Sequence, residues 1–185
     1  MLIYIKNMVC PRCISAVGKV FSDINIKVLQ IRLGEVTLAK ELSLKQFALV
    51  KQKLEFLGFE LLDDSKRQQV EKIKSIVITH IHHLEDGKFV FSEIVAKDFN
   101  KEYSQLSKLF SLTEGITIEQ FVILQKIEKA KELLMYNQMN LSEIADKMGY
   151  SSVAHLSSQF KKTIGLTPSQ FKAQGLPMRK TLDAL

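Results

Sequence analysis

The sequence predicts two unlike halves: an α+β domain over residues 1–64, with element order βαββαβ, and an all-α domain over residues 70–175. Three observations lead to this division. Short β-branched runs alternate with helically spaced apolar stripes as far as Leu62. Beyond Gln69 the apolar spacing is almost wholly helical. Within that helical half, one stretch recurs after an offset of 50 residues.

"MLIYIK" opens the chain as a short apolar strand. "PRCISAVGKVFSD" then spaces Ile14, Val17 and Phe21 as one face of a helix. "IKVLQIRL" and "EVTLAK" read as two strands, the first with Val28, Leu29, Ile31 and Leu33, the second with Val36 and Leu38. Gly34 supplies the tight turn between them. "SLKQFALVKQKLEFLG" is a second helix, capped by Ser43 and stopped by Gly58, with Phe47, Val50, Leu54 and Leu57 as its inner stripe. "FELL" adds a last strand. Strand, helix, strand, strand, helix, strand is the ferredoxin-like order. The polar run "DDSKRQQ" places a linker at residues 65–69.

In the helical half, Ile73, Ile76, Val77, Ile81 and Leu84 form one stripe that "EDGK" ends. His82 and His83 point away from that stripe and are expected in solvent, with His80 half-buried. The recurring stretch lies further on. "LSKLFSLTEGITIEQF" (106–121) aligns with "LSSQFKKTIGLTPSQF" (156–171), sharing Leu106/Leu156, Ser107/Ser157, Phe110/Phe160, Thr113/Thr163, Gly115/Gly165, Thr117/Thr167, Gln120/Gln170 and Phe121/Phe171. A duplication at constant offset means two copies of one helical subdomain. "IEQFVILQKIEKAKELLMY" lies between the copies with helical spacing and no breaker, so a long helix joins them.

Each copy reads as helix–turn–helix. In the second, Leu141, Ile144, Ala145 and Met148 face inward from a short helix, Gly149 takes a left-handed stop, and a helix over 153–163 buries Leu156 and Phe160. In the first, Ile94, Val95 and Ala96 begin the pattern, Asn100 occupies the turn, and a helix over 102–111 buries Leu106 and Phe110. Asparagine tolerates the left-handed conformation better than most residues.

On these residues, 70–175 resemble the DNA-binding domain of AraC-type transcriptional regulators. The markers are "IA" before the glycine, "GYSS", "FKK", "GLTP" and the closing "QFK". Asn100 replaces the usual glycine of the first copy, and Lys126 stands where arginine is common. The resemblance implies two recognition helices entering successive major grooves of a double-stranded DNA operator. It puts Ser104, Ser107 and Lys108 of the first helix, and Ala154, Ser157 and Ser158 of the second, at base edges. Ser151, Ser152, His155, Gln159 and Lys161 are then placed for phosphates, which position a protein without reading sequence. RNA polymerase or a second subunit would be further partners. Residues 176–185 form a C-terminal tail.

Both cysteines fall in "NMVCPRC" (7–13). Two thiols at this spacing suit a soft metal, a redox exchange, or a thiol pair retained in a metal-free scaffold. The stretch resembles the Met-x-Cys-x-x-Cys loop of heavy-metal-associated domains, with Asn7 in place of their usual glycine, and "LGFELL" (57–62) is similar to their last helix-to-strand junction. By that resemblance Cys10 and Cys13 bind Cu(I) or another soft metal ion, Met8 anchors the loop in the core and Phe59 lies beside it. Zinc would demand further ligands. A cysteine at a helix start should also ionise readily. Redox exchange is weakened because no proline between Pro11 and Pro168 supplies the cis-proline of glutaredoxin-like folds.

Composition sets the outer bounds. The chain has 46% hydrophobic and 25% charged residues, the balance of a soluble globular protein. No apolar run spans a bilayer, and residues 1–13 lack a secretion signal, so no membrane partner and a cytoplasmic location are expected. Thiols stay reduced there. The net charge of +6 is compatible with a polyanionic partner without requiring one. No phosphate loop, catalytic carboxylate pair or nucleophile–base pair stands out, and no enzyme is expected. The sequence thus points to a DNA-binding transcriptional regulator with a metal- or thiol-responsive N-terminal domain. The alternative is a metal-trafficking or thiol-redox protein whose helical half binds a protein partner.

Overall fold

The computed structural model describes residues 1–62, 64–84, 89–137, 139–174 and 182. The chain divides into two compact units, Met1–Ile76 and Val77–Leu185. The "EDGK" stretch and, apart from Leu182, the expected tail at 176–185 lie outside the described residues.

In the first unit, β1 (Leu2–Lys6), α1 (Pro11–Asp23), β2 (Val28–Arg32), β3 (Glu35–Leu38), α2 (Leu44–Phe56) and β4 (Glu60–Leu62) occur in the expected order. They build a four-stranded sheet ordered β2-β3-β1-β4, antiparallel throughout. Side chains alternate between the faces of a strand. The register pairs Ile3 with Val36 and Ile5 with Leu61, so these share one face. With Val17, Val20 and Phe21 of α1 and Val50 and Leu54 of α2 they form the buried core. Ser43 caps α2 as expected, and Gln46 returns the bond to the Ser43 backbone in a reciprocal box.

The opposite face carries Tyr4, Lys6, Glu35, Glu60 and Leu62, by the pairings Tyr4–Glu35, Tyr4–Leu62 and Lys6–Glu60. The first turns of α3 (Ser65–Ile78) attach to this face. Arg67 pairs with Glu60 at 2.7 Å and Lys72 with Glu35 at 3.7 Å. The backbone N–H of Asn7 donates to Glu71 at 3.3 Å. These contacts correct the expected linker: residues 65–69 are helical. Asp64 starts the helix by accepting from the N–H groups of Lys66 and Arg67 at 2.7 and 3.0 Å, and those bonds hold its carboxyl below the usual range. A polar run on a helix that binds a charged sheet face therefore looks like a linker in sequence.

Two smaller corrections have local causes. A β-bulge between Val28 and Gln30 breaks the alternation of β2, so Val28 and Ile31 both pack on the core while Leu29 is exposed. Leu57 is the C-cap of α2 rather than part of its inner stripe, and it is 46% exposed.

In the second unit, a π-helical turn, Thr79–His83, precedes α4 (Phe91–Phe99), α5 (Tyr103–Glu114), α6 (Ile118–Tyr136), α7 (Leu141–Lys147), α8 (Val153–Ile164) and α9 (Pro168–Gln174). The π turn closes by a bond from the Leu84 N–H to the Thr79 carbonyl at 2.8 Å, five residues back. One extra residue per turn rotates the side chains at its C-terminal end. Leu84, expected on the apolar stripe, is therefore exposed, and His82, expected in solvent, turns inward. Its Nε2 lies 2.9 Å from Gln125 Oε1 of α6. His83 is exposed as expected, and His80 stacks on Phe89 with ring centroids 4.7 Å apart. Among the described residues no helix is long and apolar enough to cross a membrane.

The packing of Gly34 against α3 can be tested by substitution. At Gly34 (φ +76°) an added Cβ would sit 2.5 Å from Ser75 Oγ, whereas at Gly58 (φ +82°) it would meet nothing within 4 Å. Each Gly→Ala change should destabilise through its left-handed backbone, by about 1–3 kcal/mol. Gly34→Ala should cost more, and Ser75→Ala should recover the excess. Urea unfolding of the three variants and the double mutant measures this; equal losses at both glycines would remove the α3 contact from the account.

Burial, with a smaller contribution from Lys129, pushes His82 down to about 4, while the Gln125 bond and Glu132 act the other way. A histidine depressed below its unfolded value of about 6.5 stabilises the fold fully above pH 6.5 and loses that contribution as pH falls toward 4. The loss between pH 7 and 5 should be about 2 kcal/mol. His82→Asn should flatten the stability curve over that interval; an unchanged slope would show that the ring is not held neutral.

Candidate nucleic-acid interface

The duplicated segments fold the same way because the shared residues do the same physical work. Leu106 and Phe110 of α5, like Leu156 and Phe160 of α8, are buried. Gly115 and Gly165 end those helices at φ +73° and +85°. Thr117 and Gln120 form a reciprocal cap on α6, and Thr167 and Gln170 exchange the same two bonds at the start of α9. Phe110 meets Phe121 at 5.7 Å between centroids, and Phe160 meets Phe171 at 5.6 Å. Thr113 and Thr163 each donate to the carbonyl four residues back. Burial over residues 101–110 and 151–160 is the same position by position.

The left-handed stops are matched as well, although the first turn is one residue shorter than the second. Asn100 ends α4 at φ +48°, supplying the left-handed residue that Gly149 supplies at φ +70° after α7. Both α5 and α8 run one to three residues further than the spacing predicts, to Glu114 and Ile164. Apolar spacing does not reveal the cap of α7: Asn140 accepts from the N–H groups of Ser142 and Glu143, and Glu143 accepts from the Asn140 N–H at 2.7 Å. Its sequence signal is Asn-x-x-Glu.

The side of each second helix opposite its buried leucine and phenylalanine carries the expected contact residues. On α5, Ser104 and Lys108 are exposed and Ser107 is half-buried. On α8, Ala154, His155, Ser158 and Lys161 are exposed, and Ser157 and Gln159 half-buried. Ser151 and Ser152 occupy the turn before α8 and are exposed. Ser152 Oγ accepts from the His155 N–H at 3.1 Å, capping the helix, and Ser151 Oγ lies 3.2 Å from His155 Nδ1. The His155 ring stands edge-on to Tyr150 at 5.2 Å, and Lys126 Nζ lies 5.8 Å from the centre of the Tyr150 ring. Lys162, part of the "FKK" marker though not among the expected contact residues, is also exposed at the end of α8.

Helix α6 holds the motifs together. It packs against α5 on one side of the repeat and against α7, α8 and α9 on the other. Its 19 residues make it about 28 Å long at 1.5 Å per residue.

At the other candidate site, Cys10 Sγ and Cys13 Sγ lie 3.5 Å apart, at and just inside the start of α1. Asn7 takes φ +72°, the conformation for which glycine is the default, and its side chain donates to the Gly58 carbonyl at 2.9 Å. Met8 is fully buried and Phe59 nearly so, in the same core cluster. Burial raises the Cys13 thiol above its ordinary value, with bonds to Val9 and Cys10 backbone opposing, so at Cys13 the expected ease of ionisation does not hold. Among the described residues no third His, Cys, Asp or Glu joins the pair to hold a metal.

This geometry can be set beside known proteins. Residues 95–174 match the family profile of the Helix-turn-helix domain. The Msm operon regulatory protein of Streptococcus mutans serotype c is 23% identical over 162 residues, 85% of this chain and 56% of that protein. The probable transcriptional regulator LumQ of Photobacterium leiognathi is 30% identical over 114 residues, 60% of this chain and 44% of its own length. A transcriptional regulator of the AraC-type DNA-binding domain-containing proteins from Chromobacterium violaceum, solved by crystallography, superposes with a TM-score of 0.53. Its identity is 18%, over 63% of this chain and 99% of that one. The chain spans about half the length of these two curated relatives. The second unit therefore carries a helix–turn–helix domain. It shares its fold with the AraC-type structure from Chromobacterium violaceum, and the curated proteins it resembles are transcriptional regulators.

Proposed function

We propose that this chain is a sequence-specific regulator of transcription that acts in the cytoplasm by binding double-stranded DNA. Helices α5 and α8 enter successive major grooves on one face of the duplex. The observation that carries the reading is the repetition of one motif on a shared helix, each copy presenting a polar face opposite a buried leucine and phenylalanine. A major groove admits such a helix, and a connector of about 28 Å suits grooves separated by one turn, about 34 Å. Small hydroxyl and methyl groups at Ser104, Ser107, Ala154, Ser157 and Ser158 suit hydrogen-bond edges and thymine methyls.

The test is enrichment of bound sequences from a random duplex pool, followed by mobility shifts across a salt series. Affinity should fall steeply with salt as counterions are released. Ser157→Glu and Ser158→Glu should each abolish specific binding while thermal unfolding stays unchanged. Undiminished binding by both variants would remove α8 from the reading.

The first unit is read as a ferredoxin-like domain, supported by its element order and its sheet order β2-β3-β1-β4. Cys10 and Cys13 are its proposed soft-metal ligands. Two sulfurs 3.5 Å apart are within reach of one ion at metal–thiolate lengths of about 2.3 Å. A two-coordinate ion such as Cu(I) needs no further ligand, which fits a pair with no third partner among the described residues. The reduced protein should take up one such ion per chain in competition with a chelator, and the Cys10→Ser/Cys13→Ser variant none. If occupancy regulates, loading should shift duplex affinity about 5- to 150-fold, the usual range of coupling. Coincident titrations of loaded and metal-free protein would make the unit a scaffold instead.

A further inference from the structure

The two motifs share a fold but not a surface. Over the equivalent windows 101–116 and 151–166, the first holds Lys101, Glu102, Lys108 and Glu114, which balance; the second holds Lys161 and Lys162 and no acid. The first helices of the motifs do not differ in this way. Glu93, Lys97 and Asp98 of α4 sum to −1, as do Glu143, Asp146 and Lys147 of α7. The imbalance therefore sits on α5 and α8, the helices proposed to enter DNA.

It falls at telling positions. Glu102 is the N-cap of α5, exposed, and its side chain makes no capping bond. Its counterpart Ser152 caps α8. The N-terminal residues of a recognition helix are those that approach base edges, between flanking phosphates. A carboxylate brought there is repelled; a serine is neutral and can donate. At the far end, Lys161 and Lys162 of α8 correspond to Ser111, whose hydroxyl donates to the Ser107 carbonyl of its own helix at 2.9 Å, and to Leu112, which is 77% exposed. The side chains at the start of α8 also differ in kind from those at the start of α5. His155 is held between Ser151 at 3.2 Å and the Tyr150 ring at 5.2 Å; Gln105 and Lys101 take the places of His155 and Ser151 in the first motif.

We infer that the motifs divide the work unequally: α7–α8 supplies most of the DNA affinity, and α4–α5 is a weaker reader kept near the duplex by its attachment through α6. This rests on the proposed function. Tethering is what lets such a reader contribute. Once α8 is seated, α5 meets its groove at a high effective concentration and selects sequence without having to bind unaided. Each phosphate contact made by a lysine adds about 0.9 to the salt slope, so the grip should come from the α8 side.

The experiment introduces one side chain at two equivalent exposed positions, Ser104→Glu and Ala154→Glu, with Glu102→Ser as a third variant. Each is titrated by fluorescence anisotropy against a duplex selected by the wild-type chain, over a salt series. Thermal melts confirm that all three fold. Ala154→Glu should lose about a hundredfold in affinity and Ser104→Glu less than about fivefold. Glu102→Ser should bind roughly threefold or more tightly, with a salt slope steeper by up to about 0.9. Losses within tenfold of each other, a larger loss at Ser104, or a Glu102→Ser variant no tighter than wild type would overturn the inference. A wild-type chain that enriches no duplex would instead overturn the proposed function on which it rests.

Discussion

Packing of both motifs onto one helix is the constraint on which the rest of the second unit depends. Ile118 and Phe121, at the start of α6, are buried on the side of the first motif, with Phe121 against Phe110. Ile127, Ala130, Leu133 and Leu134 further along share a core with Ile144, Ala145, Met148, Leu156, Phe160 and Phe171. Truncating a buried phenylalanine at such a junction typically costs about 3–5 kcal/mol, a large part of a domain's stability. A helix buried on nearly every side must also bury polar groups. Lys131 donates to Glu128 within α6, both almost wholly buried, and Gln125 bonds His82. Such a pair is weak evidence for net stability, but breaking it by removing one partner typically costs about 3–5 kcal/mol. Helix α6 is thus hard to replace by a flexible tether.

That rigidity gives the repeat its meaning. A flexible link would leave the orientations of α5 and α8 independent. Phe110 of α5 packs on Phe121 of the shared helix itself, whereas Phe160 of α8 packs on Phe171 of α9, and both α8 and α9 pack on α6. The second helices, whose burial matches position by position over 101–110 and 151–160, differ most in the charges they carry. A duplicated fold can therefore keep the buried leucine and phenylalanine of its second helix while the charge of that helix changes.

Sequence pattern made the second unit legible because the identities are structural: buried apolar pairs, left-handed stops and caps. The failures are equally physical. A π turn rotated the register so that His82 and Leu84 exchanged places, and no apolar periodicity announces the extra residue. Residues 65–69 read as a linker because their partners, such as Glu60, lie on a sheet whose exposed face cannot be recognised in one strand alone. Met8 is buried as expected and Asn7 takes the left-handed conformation for which glycine is the default, whereas the raised Cys13 thiol reflects three-dimensional burial that a helix-start argument does not contain. Periodicity separates outward positions such as Ser104 and Ser158 from buried Leu106 and Leu156 and does not rank the outward ones by chemistry.

The central claim is that one rigid helix sets two readers at the spacing of a duplex turn. Hydroxyl-radical footprinting on a duplex enriched by this chain tests it directly. The account predicts two protected patches on the same face, centred about 10 base pairs apart, with unprotected backbone between them. A single patch, or two patches on opposite faces, would contradict it.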